Sequence, residues 1–281
     1  MPSKSANVKN EKQYEALKDK GMSKQRAARI ANDPDSSKKG GKASGSGKKK
    51  SDSSQAAPRP RRRRPAARVA GPPPRRADPG MANTALVLSC TLKKSPTESS
   101  SVLIGQQFLD ALGDHDVTGE LVRVVDHDVR FGVSVDEGKG DEWPGIREKM
   151  LAADILVIAT PIWMGQPASV AKLVLERLDA ELSETDDEGR MSTYNKVAAV
   201  AVVGNEDGAH HTTAECLQAL NDTGFSVAAN GSTYWVGEAM QPVDFIDHEK
   251  TPEKTAGTTK TAAANTAHLA RLLSSDGYPL A

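Results

Sequence analysis

Cysteine is scarce in this sequence, and long apolar runs are lacking. The 281 residues include two cysteines, Cys90 and Cys216, which are too few for a disulfide framework or a cysteine-rich metal site. No apolar run approaches the roughly 20 residues that a membrane-spanning helix needs. Residues 1–13 also lack the apolar core of a secretory signal. We therefore expect a cytoplasmic protein with no membrane partner.

The formal net charge is zero, but the charges are divided unequally along the chain. Residues 1–80 hold 22 Lys and Arg against 7 Asp and Glu, whereas residues 81–281 hold 15 against 30. The basic clusters at residues 48–50 and 61–64 would contact nucleic-acid phosphates without sequence preference. No aromatic residues are interleaved with these clusters for base stacking. The alternative that the basic arm lies against its own acidic domain therefore stays open.

Three segments differ in composition. Residues 1–33 contain two short helical patterns separated at residues 20–21 and predict a short basic helical hairpin. Residues 34–80 are rich in Lys, Arg, Pro, Gly and Ser, and they cannot bury enough apolar area to offset the entropy lost on ordering. We predict that they form a disordered linker. Residues 81–281 have the apolar patterning of one folded domain.

Short apolar runs alternate with helical patterns from residue 84 to residue 273. The predicted strands are residues 85–89, 120–125, 154–160, 196–203 and 225–236, and the predicted helices are residues 97–112, 143–153, 167–182, 212–221 and 260–273. Continuously apolar strands are typical of a parallel sheet that is buried on both faces. The alternation therefore predicts an α/β fold with a doubly wound, five-stranded parallel sheet.

Ligands of such sheets bind at the carboxyl ends of the strands, so the loops there are the candidate site. The loop after the first predicted strand, residues 89–100, is rich in hydroxyl groups and leads into a predicted helix. The N-terminus of a helix attracts phosphate. It contains neither G-x-G-x-x-G nor G-x-x-x-x-G-K-[ST], which disfavours a dinucleotide site and a P-loop. A plainer interpretation is a helix start that is capped by Ser95 or Thr97.

The loop after the third predicted strand carries the most specific motif, T-P-I-W-M-G at residues 160–165. It resembles the motif of the NADPH-dependent FMN reductase and multimeric flavodoxin families. The resemblance implies a flavodoxin-like fold with strand order 2-1-3-4-5, bound FMN, and NAD(P)H as co-substrate. Separately, about the first 50 residues resemble a family of small basic proteins of unknown function.

The same resemblance assigns cofactor contacts to three loops. Residues 89–97 look like the phosphate loop G-S-x-R-x-x-S-x-T, in which Ser95 and Thr97 match and Leu92 replaces Arg. Lys93 or Lys94 would supply the missing charge. The implied cofactor-binding residues are Ser89, Thr91, Ser95, Thr97, Pro161, Ile162, Trp163, Met164, Gly165, Gly204, Asn205, Gly208 and His210.

A metal site is the alternative interpretation of the adjacent His210 and His211. No third ligand follows at a recognisable spacing, and neighbouring residues in a turn point in different directions. We therefore predict no metal. Flavin chemistry of this kind requires no acid or base from the protein, so no catalytic residue is named.

The resemblance implies an NAD(P)H oxidoreductase that transfers two electrons through FMN to a small acceptor. Quinones, free flavin, nitro or azo compounds and ferric chelates are candidate acceptors. Self-association into a dimer or tetramer is also implied. Two alternatives stay open: an electron carrier of the flavodoxin type, and a nucleic-acid-associated protein that acts through its basic arm.

Overall fold

The computed structural model describes residues 82–186, 188–239 and 241–279, together with Lys12, residues 14–16 and residues 31–32. Residues 14–16 and 31–32 are helical. The linker that we predict for residues 34–80 lies outside the described residues, as does most of the predicted hairpin. The division of the chain into three segments therefore stays a prediction.

Residues 84–275 alternate strands with helices. The strands are β1 (Thr84–Ser89), β2 (Thr118–Arg123), β3 (Ile155–Trp163), β4 (Gln166–Pro167), β5 (Val197–Gly204) and β6 (Ser226–Val236). The helices are α1 (Ser100–Gly113), α2 (Trp143–Ala152), α3 (Ser169–Leu178), α4 (Ala209–Asp222) and α5 (Glu253–Ser275). Short 3₁₀ turns occur at Val124–Asp126, Asp179–Leu182 and Phe245–Asp247.

The long strands form a parallel sheet in the order β2-β1-β3-β5-β6. This is the predicted order 2-1-3-4-5, so the flavodoxin-like fold is confirmed. Ser89, the last residue of β1, pairs with Ala159, so β3 extends four residues past the end of β1. The sequence did not predict β4, a two-residue strand that pairs antiparallel with the end of β3.

Helices cover both faces of the sheet. On one face, α2, α3 and α4 pack around Trp143, Val174 and Leu220, and on the other α1 and α5 pack around Phe108 and Ala263. Successive strand residues alternate between these layers because side chains alternate across a strand. Burying a large apolar side chain of this kind contributes about 1.5–3 kcal/mol, so the two layers hold the strand ends in fixed positions.

Both cysteines lie inside the first of these layers. Cys90 and Cys216 are free and buried. Burial raises the pKa of Cys90 well above its ordinary value and raises the pKa of Cys216 to about 12. Both thiols are therefore neutral at physiological pH, and neither is an activated nucleophile.

Helix α5 begins at Glu253, seven residues before the predicted start. The extra turns are rich in threonine and were not recognised as a helix from apolar periodicity. Thr258 and Thr259 lie within hydrogen-bond distance of the buried Thr233 of β6, at 2.8 and 3.0 Å. These hydroxyl pairs allow a polar stretch of helix to pack against the sheet.

Among the described residues, no helix combines the length and the apolar character that a membrane crossing requires.

Candidate functional site

The loop after β1, residues 90–99, presents hydroxyl groups beside the start of α1. Ser89, the last residue of β1, is fully buried, and its Oγ has no hydrogen-bond partner among the described residues. Thr91 is also buried, and its Oγ1 accepts hydrogen bonds from Ser99 Oγ at 2.9 Å and from Lys93 N at 3.2 Å. Ser99 precedes α1 but makes no side-chain cap, so no cap side chain occupies the N–H groups of the first helical turn.

Ser95 and Thr97 are exposed and lie farther along this loop. The backbone N and Oγ of Ser95 both donate to the carboxylate of Asp126. These hydrogen bonds hold the pKa of Asp126 below its ordinary value. The N-cap of α1 is Ser99, so the interpretation of Ser95 or Thr97 as the helix cap is wrong.

The start of α1 is shifted because Arg123 anchors the loop. Its Nη1 donates to the carbonyl oxygens of Lys93 at 3.1 Å and of Thr97 at 2.8 Å. Residues 94–97 consequently form a turn that is closed by the bond from Thr97 N to Lys94 O, at 3.0 Å. The helix begins three residues later than predicted.

The β3–β4 turn projects two apolar side chains from the carboxyl edge of the sheet. Trp163 pairs with Gln166, and the two residues between them have positive φ, 54° for Met164 and 71° for Gly165. Positive φ at both positions is typical of a type I′ hairpin turn. The side chains of Trp163 and Met164 are 54% and 88% exposed, which is unusual for such large apolar groups in one turn.

The loop after β5, residues 205–208, lies against this turn. Glu206 Oε1 accepts a hydrogen bond from Met164 N at 3.1 Å, and Oε2 accepts one from Gly165 N at 3.3 Å. Gly208 has a φ of 109°, and a Cβ there would lie 2.7 Å from the Cα of Gly165. Only glycine permits so close an approach, and the two loops therefore meet directly.

Ile162 and Gly204 lie beneath these loops. The side chain of Ile162 is 3% exposed and packs in the apolar core, so its side chain is not a surface contact. A Cβ on Gly204 would lie 2.9 Å from Ile162 Cβ. Pro161 pairs in register with Val203 of β5.

The two histidines have different partners. The His210 ring packs edge-on against Tyr234 with centroids 5.3 Å apart, while His211 Nε2 lies 3.0 Å from Gln166 Oε1. The described residues contain no group of three His, Cys, Asp or Glu that would hold a metal ion. The histidines instead connect the β5–α4 region to β6 and to β4.

Asn205 connects the β5 loop to the segment after β6. Its Nδ2 donates to the carbonyl oxygen of Gln241 at 3.1 Å and to Asp244 Oδ1 at 3.2 Å. The side-chain amide of this predicted contact residue is therefore already used within the protein.

Sequence reasoning missed two acidic residues of this edge. Neither Glu206 nor Asp126 was among the predicted site residues. Both accept hydrogen bonds from loop donors. A carboxylate in a glycine-rich loop beside a tight turn was the available signal for Glu206, whereas nothing in the sequence pattern marks Asp126.

The predicted site is an open edge of the single chain. A cavity of about 320 Å³ lies between β2 and α2, and a groove of about 500 Å³ lies between α3 and α4. Neither is lined by a predicted site residue. The loops after β1, β3 and β5 nevertheless adjoin one another, because their strands are neighbours in the sheet.

Comparison with known families identifies matches for both parts of the chain. The sequence model of the NADPH-dependent FMN reductase family matches residues 84–241. A family of unknown function matches residues 3–44. Helix α5 and residues 45–83 lie outside these two matches.

Two curated proteins are similar in sequence. The 8-demethyl-8-aminoriboflavin-5'-phosphate synthase of Streptomyces davaonensis is 35% identical over 208 residues, which cover 70% of this chain and 81% of that protein. The divalent metal cation transporter MntH of Mycobacterium bovis is 34% identical over 167 residues, or 58% of this chain. Those residues span 24% of the transporter.

Solved structures also resemble the folded part. The crystal structure of RosB with the bound intermediate 8-demethyl-8-formylriboflavin-5'-phosphate has a TM-score of 0.65 and 35% identity, covering 70% of this chain and 82% of that one. A flavone reductase has a TM-score of 0.50 at 15% identity, covering 70% and 66%. At that identity the second likeness concerns the fold alone.

Proposed function

Because the chain belongs to the NADPH-dependent FMN reductase family, whose members use FMN and NAD(P)H, we propose that residues 84–279 transfer two electrons from NAD(P)H through bound FMN to a small acceptor. The observation that carries this proposal is the match of the NADPH-dependent FMN reductase family model to residues 84–241. The carboxyl edge of β1, β3 and β5 is the proposed binding site.

The loop after β1 fits the phosphate of FMN. The buried Ser89 hydroxyl lacks a partner within the described chain, and a buried hydroxyl is costly unless it is hydrogen-bonded. The uncapped first turn of α1 adds backbone donors and the positive end of a helix dipole. We propose that Ser89, Thr91 and this turn hold the phosphate, with Ser95 and Thr97 at the outer rim.

The β3–β4 turn and the loop after β5 fit the ring system. Trp163 and Met164 offer exposed apolar surface. The close contacts of Gly204 with Ile162 and of Gly208 with Gly165 hold the adjoining backbone in place. Bound FMN would supply hydride acceptance and electron transfer. The residues of this chain orient the ring and exclude water from one of its faces.

Helix α4 contributes electrostatics to the same edge. It begins directly after Gly208, which has no side chain to cap the helix. The positive end of the dipole therefore faces the loop region and favours negative charge there. We propose that the backbone at Gly204, Asn205 and Gly208, with His210 nearby, stabilises the charge that develops when electrons arrive.

A second candidate function treats the flavin phosphate as the substrate. It is favoured by the 35% identity to RosB, whose crystal structure holds a flavin phosphate with a formyl group at ring position 8. Under this alternative, the methyl group at that position of bound FMN would be oxidised to a formyl group, with dioxygen as the four-electron oxidant and water as the second product. The mass of flavin extracted after incubation separates the two functions, because an electron carrier or reductase returns FMN unaltered.

Two partner proposals accompany this function. The open edge of the single chain supports a dimer or tetramer in which a second copy covers the flavin. The basic composition of residues 1–80 supports non-specific contact with nucleic acid. Light scattering tests the first, and salt-dependent retention on DNA, with and without residues 1–80, tests the second. We retain the cytoplasm as the proposed location.

The proposed function is tested by anaerobic titration of the full chain. FMN is added first, and NADPH or NADH is then added in steps while the visible absorbance of oxidised flavin is followed. We expect saturable FMN binding and bleaching by a stoichiometric amount of one nicotinamide nucleotide. Bleaching should reverse when a quinone is added. FMN binding without bleaching by either nucleotide would contradict the reductase function. An electron carrier of the flavodoxin type would then be the remaining interpretation.

A further inference from the structure

Glu206 occupies an unusual position at the candidate site. Its two carboxylate oxygens accept the adjacent backbone N–H groups of Met164 and Gly165, at 3.1 and 3.3 Å. Hydrogen bonds to an ionised acceptor are stronger than those between neutral groups. Its neighbour Asp207 is exposed and makes no hydrogen bond or ion pair within the described part of the chain. The two carboxylates thus differ in what they contact.

The turn that Glu206 contacts needs support. Met164 is a non-glycine residue with a φ of 54°, a conformation that persists only when the surroundings hold it. Its side chain is 88% exposed and supplies little packing. The support therefore comes from the β5 side of the turn.

Two further contacts join the same loops or the elements next to them. Gly208 and Gly165 touch so closely that a Cβ on Gly208 would overlap the backbone of Gly165. His211 Nε2 lies 3.0 Å from Gln166 Oε1, one residue beyond the turn. The β3–β4 turn and the loop after β5 consequently form one unit, with Glu206 at its centre.

We propose that Glu206 is the positioning residue of this site, a role that rests on the proposed function. It holds the β3–β4 turn in the conformation that presents Trp163 and Met164 to the flavin. Its negative charge also opposes the addition of electrons close by, so that the bound flavin is harder to reduce than it would be beside a neutral residue. Removal of the carboxylate therefore changes both the turn and the reduction potential.

The test compares the full-length wild type with Glu206→Ala, Glu206→Gln and the matched control Asp207→Asn. Hydrogen–deuterium exchange is measured first, without flavin, for the amides of residues 164 and 165. We expect exchange to be about tenfold faster in Glu206→Ala, a factor that corresponds to about 1.4 kcal/mol. Glu206→Gln, which retains one acceptor oxygen, should fall between Glu206→Ala and the wild type, and Asp207→Asn should match the wild type.

Flavin measurements on the same proteins separate charge from shape. We expect the dissociation constant for FMN to rise about tenfold in Glu206→Ala. The midpoint potential of bound flavin should become more positive in Glu206→Gln. The shift should be smaller in Asp207→Asn. A purely structural role would leave the potential of Glu206→Gln unchanged.

Unchanged amide exchange in Glu206→Ala, or an unchanged potential in Glu206→Gln, overturns the role of Glu206. Failure of the wild type to bind FMN overturns the proposed function. The exchange experiment contains no flavin, so it tests the role of Glu206 in the turn independently of that outcome. If the wild type binds FMN and Glu206→Ala binds it with equal affinity, the role of Glu206 is overturned and the proposed function is not.

Discussion

Two segments at the carboxyl edge of the sheet are held in contrasting ways. The loop between β2 and α2, residues 124–142, is anchored by a fully buried ion pair between Arg177 Nη1 and Asp141 Oδ2, at 2.8 Å. Arg177 also donates to the carbonyl oxygens of Arg130 and Ser134. The β3–β4 turn instead projects exposed apolar side chains and is held by the partly exposed Glu206.

The contrast separates structural polar groups from groups that are available to a ligand. The buried charges of the first segment are paired and hydrogen-bonded, as buried charges must be. The second segment leaves its apolar groups in water, which is expected where another molecule is to cover them. Substitutions of the buried ion pair in the first segment should therefore change stability, and substitutions of the exposed Trp163 or Met164 in the second should change binding.

The largest effect is expected for Arg177→Ala. Removing one partner of a buried ion pair leaves the other charge uncompensated, which lowers the free energy of unfolding by about 3–5 kcal/mol. Lys172→Ala is the control, because Lys172 pairs with Glu215 near the surface and such pairs contribute at most about 1 kcal/mol. Urea denaturation measures both. Equal losses would contradict the assigned importance of the buried pair.

The second prediction concerns acid stability. Burial acts to raise the pKa of Asp141, but hydrogen bonds from Glu137 N, Arg130 N and Arg177 outweigh it and lower the pKa from 3.8 to about 2. The carboxylate therefore stabilises the fold above pH 3.8, and this contribution is lost as the pH falls towards 2. Asp141→Asn should be less stable near neutral pH, and its melting temperature should fall less steeply over that interval. Parallel pH profiles would refute this assignment.

The third prediction tests the contact between the two loops. Gly208→Ala places a Cβ against Gly165 and adds a left-handed non-glycine residue, which costs about 1–2 kcal/mol in stability. FMN affinity should fall together with stability. Gly257→Ala in α5 is the control, since no atom lies near its added Cβ. That change should stabilise the protein by up to about 1 kcal/mol, as judged by thermal melting.

The smallest effect on stability is expected for Trp163→Ala. Its side chain is 54% exposed, so the free energy of unfolding should change by no more than about 0.5 kcal/mol. FMN affinity should fall by about twofold to tenfold, because an aromatic contact contributes about 0.5–1.5 kcal/mol. Phe131→Ala is the matched control in the β2–α2 loop, where Phe131 is 83% exposed. Equal losses of affinity in the two variants would remove the distinction between the segments.

The sheet could be predicted from the sequence because its strands are continuously apolar. Residues 155–160 and 197–203 lack the polar alternation of a half-exposed strand, which left a buried parallel sheet as the simplest fold. The resemblance that rested on residues 160–165 is confirmed by the family match over residues 84–241. The assignment of individual cofactor contacts stays a prediction, as do the segments within residues 1–80.

The remaining features depend on contacts between residues that are distant in sequence. The hydrogen bonds of Asp126 to Ser95 and of Glu206 to residues 164 and 165 span about 30 and 40 positions, so no local pattern reveals them. The early start of α5 depends on hydroxyl pairs with Thr233 of β6. Apolar periodicity does not report such polar packing.

Binding of FMN and riboflavin to the full-length protein, measured side by side by calorimetry, tests the central claim most directly. We predict saturable FMN binding at one site per chain, and weaker binding of riboflavin because it lacks the phosphate that Ser89, Thr91 and the start of α1 would hold. If neither FMN nor riboflavin gave a heat of binding, that result would contradict a flavin site at the carboxyl edge of β1, β3 and β5.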